Sequence, residues 1–170
     1  MKDHVDLVLA QWAQQRPDLD VSAMAVCSRL FRMNIVAARN ADRAFRAHGM
    51  HQGEFDVLAT LFRAGLPYSM SPQQLIGALL LSSGAMTNRL DRLESAGLIA
   101  RSPNPEDRRS VLVSLTQQGQ RALRHVLEAY LDEMEQTLAP LNASERRQLA
   151  GLLKRLLAPH DQHAPGGVEF

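Results

Sequence analysis

Cysteine is nearly absent from this chain, with Cys27 the sole example. One thiol cannot close a disulfide within the chain, nor build a cysteine-based structural zinc site. That usage suits a reducing cytoplasm, the expected compartment. Lysine is almost as scarce: of 19 basic residues only Lys2 and Lys154 are not arginine. The 18 acidic residues bring the formal charge to +1. Bulk charge therefore does not announce a nucleic-acid binder, and any contact with DNA must come from a local arrangement. Long apolar runs are missing too. The longest, residues 75–81, is far too short to span a bilayer. The opening residues carry Asp3 and Asp6 with no uninterrupted apolar stretch behind them, so neither a signal peptide nor a membrane segment is expected.

Catalytic signatures are also missing. There is no Walker loop, dinucleotide fingerprint, nucleophile elbow or HExxH. His4, His48, His51, His125, His160 and His163 form no convincing metal-ligand grouping. Neither an enzyme nor a metal or other cofactor is expected.

What is present is a chain of 170 residues that is 45% hydrophobic, enough for one compact domain or two small ones sharing a core. Val5, Val8, Leu9 and Trp12 keep helical rhythm until Pro17. Ser22 then reads as the cap of a long helix over residues 23–48. Its apolar set is Met24, Cys27, Leu30, Phe31, Ile35, Ala38, Ala41 and Phe45, and Gly49 closes it. A further helix, residues 51–63, presents Phe55, Leu58, Ala59 and Phe62 on one face, and a loop follows at Gly65-Leu66-Pro67-Tyr68.

Ser71-Pro72 opens a short helix over residues 73–80, and Ser82-Ser83-Gly84 opens another through Glu94, ended by Gly97. Two short helices around a tight turn form a helix-turn-helix. Residues 98–102 and 111–115 read as strands around a polar tip, which makes a wing. Thr116 caps the next helix, Pro140 interrupts, and Asn142 or Ser144 caps the last one. The tail from Pro159 is expected to be loose.

The expected fold is therefore mainly α with a small β wing. It divides into an extra helix and link (1–20), a winged helix-turn-helix (51–115), a helical dimerisation region from both ends (21–50 and 116–158) and a flexible tail (159–170). A two-fold homodimer would hold its recognition helices about one DNA turn apart (~34 Å), matching a palindromic site on double-stranded DNA.

The segment GAMTNRLDRLESAGLI, residues 84–99, resembles the recognition helix and exit of the MarR family of winged-helix regulators. DRRSVLVSLT, residues 107–116, fills every position of that family's wing signature D-x-R-x-x-x-V-x-L-T. The resemblance implies a DNA-binding transcriptional regulator. Small residues at 82–85 let the helix end approach the groove floor. Ser82, Ser83, Thr87 and Asn88 are candidates for phosphates or base edges, and Arg92 for a phosphate; capping alone would also explain the two serines. By resemblance Asp107 orients Arg109, which enters the minor groove. Arg108 is open between a backbone contact and solvent.

The helix bearing Trp12, followed by Arg16-Pro17-Asp18-Leu19-Asp20, resembles the extension of the family's urate-responsive (PecS- and HucR-like) subgroup. Trp12, Asp56, Arg89 and Arg101 match that subgroup's ligand residues. A carboxylate on an apolar face needs a partner such as arginine. A flat anionic aromatic could compete for the arginine and stack on the indole. The expected function is a repressor released by a small anionic aromatic such as urate. The alternative effector is an indole-acetate- or benzoate-like acid, and a structural ion pair with a core tryptophan is the non-functional reading. Cys27 lies near the peroxide-sensing cysteine of another branch of the family. Phe31 and Ala41 stand in place of that branch's assisting tyrosines, so a buried structural cysteine is expected over a redox sensor.

Overall fold

Asp3 starts the first helix, α1 (His4–Gln15), by accepting from the Asp6 amide at 2.9 Å while the Asp6 carboxylate accepts from the Asp3 amide at 2.8 Å. The computed structural model describes residues 2–105 and 110–161. The same two carboxylates hold Arg29 of α2 (Ser22–Ala47), at 2.9 Å from Asp3 and 2.7 Å from Asp6. With the buried Val5, that bridge lays α1 along α2. Ser22 is not the cap of α2. Val21 occupies that place, and Asp20 accepts from the Ser22 amide at 2.9 Å instead. An acid two residues upstream reaches the first open amide, and Ser22 becomes the first helical residue.

Next come α3 (Gln52–Arg63), β1 (Ser69–Met70), α4 (Pro72–Leu79), α5 (Ser83–Ser95), β2 (Ile99–Pro103) and β3 (Val111–Leu115). Ser71 and Gln74 form a reciprocal cap ahead of α4, with Pro72 at its first position. The strands pair antiparallel in the order β1-β3-β2, with Ile99 opposite Leu115 and Arg101 opposite Val113. β1 was not apparent from the sequence. Two residues after Pro67 are too few to show alternation, and their pairing, Ser69 with Ser114 and Met70 with Val113, spans the chain. The Ser69 and Ser114 hydroxyls share a hydrogen bond across it.

Thr116 caps α6 (Gln117–Leu138): its hydroxyl oxygen accepts from the Gly119 amide at 2.9 Å and its O–H donates to the Gly97 carbonyl at 2.8 Å. Asn142 caps α7 (Ala143–Asp161), accepting from the Ser144 and Glu145 amides, which decides between the two candidate caps. The helix continues through Pro159 to Asp161, past the point where the sequence suggested a loose tail.

The core sits where α3, α4 and α5 meet the sheet and α6. Val57, Leu58, Leu61, Leu75 and Val113 have no exposed surface. Phe45, Phe55 and Tyr130 pack as an aromatic cluster joining α2, α3 and α6, with ring centroids 4.9 to 5.5 Å apart. On α2 only Ala41, Ala44 and Phe45 are buried. Phe31 is 72% exposed and Ile35 58%. None of the described side chains of α7 is buried, and Leu149, Leu152, Leu156 and Leu157 are open.

Cys27 is exposed as well, which corrects the expectation of a buried cysteine. It lies on the same α2 face as Met24 and Phe31, a face left open among the described residues. Among the described residues no helix is long and apolar enough to cross a membrane, and no cluster of three metal-ligating side chains occurs.

Candidate nucleic-acid interface and effector cavity

The inner face of α5 is fixed by Met86, Leu90 and Leu93, all at most 2% exposed. Helical geometry then turns Ser83, Gly84, Thr87, Asn88 and Asp91 outward, where all are exposed. Ser82 accepts from the Ala85 amide at 3.4 Å, so it does cap the helix. The Thr87 hydroxyl donates back to the Ser83 carbonyl at 3.0 Å, which leaves its oxygen lone pairs open as acceptors. A side chain at Gly84 would meet nothing within 4 Å, so the protein's own packing does not require a glycine there. Arg92 is exposed and lines a cleft with His51 and Glu54 at the start of α3.

Beyond α5, Asn104 donates its amide to the Ser110 carbonyl at 3.0 Å near the hairpin tip. Asp107, Arg108 and Arg109 lie outside the described residues.

The four candidate effector residues fall in three places. Asp56 lines a cavity of about 200 Å³ between α2, α3 and α6, beside Asn34, Gln52, Phe45, Tyr130 and Met134. Burial pushes its carboxyl above the ordinary value, opposed by the charges of Arg89 and Arg63. Neither arginine bonds to it. Arg63 donates to Thr60 and the Ala59 carbonyl, and Arg89 to the Gly53 carbonyl at 3.5 Å. Arg89 therefore rests one helical turn from Asp56, near it but unpaired. Arg101 is committed elsewhere: its guanidinium lies 2.7 Å from Asp91 and 3.4 Å from Glu94. Trp12 is 40% exposed on α1 and lines neither the Asp56 cavity nor the cleft beside Arg89. A larger groove, about 470 Å³, runs along α2 beside Asp3, Arg29, Arg32 and Arg39.

The helix α5 is thus braced from two sides. Arg89 leans on α3, and Arg101 reaches across from β2. Asp91 and Glu94, which receive Arg101, were not singled out in the sequence, nor was Gly53, on which Arg89 rests. The one available signal was a glycine in the first turn of a helix that has no turn to make there.

Comparison with known proteins places this fold in a family. A sequence model described as the MarR family matches residues 50–111. The HTH-type transcriptional regulator PecS of Dickeya dadantii (strain 3937) is 40% identical over 149 residues, covering 88% of this chain and 90% of that protein. A mutant of MarR from E. coli, solved in complex with operator DNA, superposes with a TM-score of 0.69 at 30% identity, covering 82% of this chain and 99% of that one. Bordetella bronchiseptica BpsR, whose DNA binding is regulated by 6-hydroxynicotinic acid, shares the fold at a TM-score of 0.67 and 24% identity, covering 77% of this chain and 91% of that one.

Proposed function

This chain belongs to the MarR family of ligand-responsive, DNA-binding transcriptional regulators, whose members are not enzymes, and from that premise we propose that it is a homodimeric repressor released from its operator by a small anionic aromatic. The observation that carries the reading is the position of Arg89. It rides the helix whose outer face offers Ser83, Thr87 and Asn88, and it leans on α3 one turn before Asp56. An anion drawn to that guanidinium acts on the reading surface itself. An unpaired, half-buried carboxylate beside an unpaired arginine is an arrangement that a ligand can change cheaply.

Urate is the first candidate effector and an indole- or benzene-carboxylate the second. The aromatic lining supplied by Phe45, Phe55 and Tyr130 suits a flat ring, and Asn34 and Gln52 offer polar edges. In this reading Arg101 joins the ligand shell after it leaves Asp91, and Trp12, which lines no part of this cavity within one chain, reaches it from the two-fold partner. Asp107, Arg108 and Arg109 act at the wing, Ser82 and Arg92 at phosphates. The two-fold partner covers the open apolar faces of α2 and α7. The effector must favour the arrangement that does not fit DNA, since equal affinity for both would shift nothing.

The test is a DNA-binding titration on the chain's own upstream intergenic region, with and without urate and a panel of aromatic acids. Operator affinity is expected to fall by roughly 5–150-fold at saturating effector. Trp12→Phe should weaken urate binding while operator binding survives. If neither urate nor any acid of the panel shifts the titration, the effector assignment is wrong.

A further inference from the structure

We propose that Gly53 is a positioning residue for the reading helix: its missing side chain is the seat on which the Arg89 guanidinium rests. Gly53 is the second residue of α3 and its φ is not positive, so the backbone makes no demand for glycine there. Glycine weakens a helix relative to alanine, so the position carries a local cost that the helix does not explain. Its neighbour does. A Cβ at Gly53 would stand 2.5 Å from Arg89 Cζ, 2.6 Å from Nε and 2.9 Å from Nη1, all closer than packed atoms tolerate. Three guanidinium atoms at such similar distances mean that the flat head of Arg89 lies across the glycine, with Nη1 donating to the Gly53 carbonyl. Elsewhere in these helices the fit is different. Gly77 and Gly84 have open space where a side chain would go, and Gly119 faces the Leu98 carbonyl, which cannot yield.

The atoms facing Gly53 are the far end of a flexible side chain. Alanine there displaces the guanidinium and leaves the fold standing. The seat lies one turn before Asp56 and adds a polar contact between α3 and α5 to the packing of Met86, Leu90 and Leu93. The role rests on the reading that α5 contacts DNA, and the experiment separates the two ideas.

Gly53→Ala and Arg89→Ala are made singly and together in the full chain. Affinity is measured on a duplex that the wild-type protein selects from random-sequence DNA, alongside melting temperatures. Gly53→Ala is expected to bind that duplex about fivefold more weakly or worse, the lower end of losing one groove contact. In the Arg89→Ala background the same change should alter affinity by less than about twofold, because nothing is left to displace. Melting carries the same cycle without DNA. Alanine should raise the melting temperature by about 1–4 °C when Arg89 is absent, through helix propensity and chain entropy, and by less when Arg89 is present. Arg89→Gln replaces Arg89→Ala if the latter does not fold. Equal changes in affinity in both backgrounds, or none in either, overturn the seat. If the wild-type protein selects no duplex, the DNA reading fails, and the seat then stands or falls on melting alone: equal increments in both backgrounds overturn it.

Discussion

The winged-helix unit and the terminal helical layer solve the burial problem differently. In the first, α3, α4, α5 and the sheet close on one another, and Val57, Leu58, Leu61, Leu75 and Val113 are wholly enclosed. In the second, α2 and α7 are also rich in apolar side chains but leave Phe31, Ile35, Leu152 and Leu156 more than half exposed. The winged-helix unit therefore holds most of the enclosed core, which Phe45 of α2 and Leu123 and Val126 of α6 complete. The terminal layer meets its own hydrophobic demand only against another surface, which fits the proposed two-fold partner. A change inside the first should act on folding, and a change on the second on association.

Leu58→Ala is the largest break to that comparison. Emptying a wholly buried leucine site in a closed core costs about 2–5 kcal/mol, independent of protein concentration. Denaturant unfolding at two protein concentrations measures it. A cost below about 1 kcal/mol would show that the winged-helix unit is not closed.

Ile35→Asp should do less to the fold and more to assembly. Ile35 is already 58% exposed in one chain, so a charge there costs little until a partner buries it. Light scattering at micromolar concentration should show monomers where the parent gives dimers, with far-ultraviolet dichroism unchanged. A variant that stays dimeric would move the interface off this face.

The same contrast explains what could be read from the sequence. The winged helix was legible because its signals are local: Ser71-Pro72, Ser82, Gly97 and Thr116 mark the ends of elements through bonds within a few residues. The β-branched, apolar run at 111–115 marked β3, and β1 was lost because its evidence lies on a strand far along the chain. Cys27 was misjudged for a related reason. Its periodicity correctly put it on an apolar face, but periodicity does not say whether that face is covered within one chain. At the candidate site, Asp56 and Arg89 were assigned from the resemblance to the urate-responsive subgroup. Their actual relation was not, because Arg89 settles on a glycine 36 residues away that has no chemistry of its own to attract notice. Arg101 was assigned to a ligand, and its present partners, Asp91 and Glu94, are visible only once β2 lies beside α5.

The smallest expected effect lies at the seam between the two regions, where Asp56 faces the cavity under α2 and α6. Burial raises its folded-state pKa above the ordinary carboxylate value of 3.8, against the pull of Arg89 and Arg63. A raised pKa means that the fold favours the protonated form. The associated stability is fully present below the unfolded pKa and is lost as pH rises through the folded one. At neutral pH the charged carboxylate therefore sits in a place that suits a neutral group. Asp56→Asn removes the charge and keeps the shape, so it should raise the melting temperature at pH 7–8. The gain should shrink as pH is lowered toward the ordinary carboxylate range, where the parent's own group becomes neutral. Because the side chain is only half buried, water screens much of the penalty, and the gain should be no more than about 1–2 °C. Melting curves of both proteins from pH 4 to pH 8 measure it, and a difference that does not vary with pH would mean that Asp56 is solvated in the fold. If the gain does follow pH, the carboxylate is held at the seam at a cost to stability. A residue kept at such a cost is better explained by a ligand that meets it than by the packing around it.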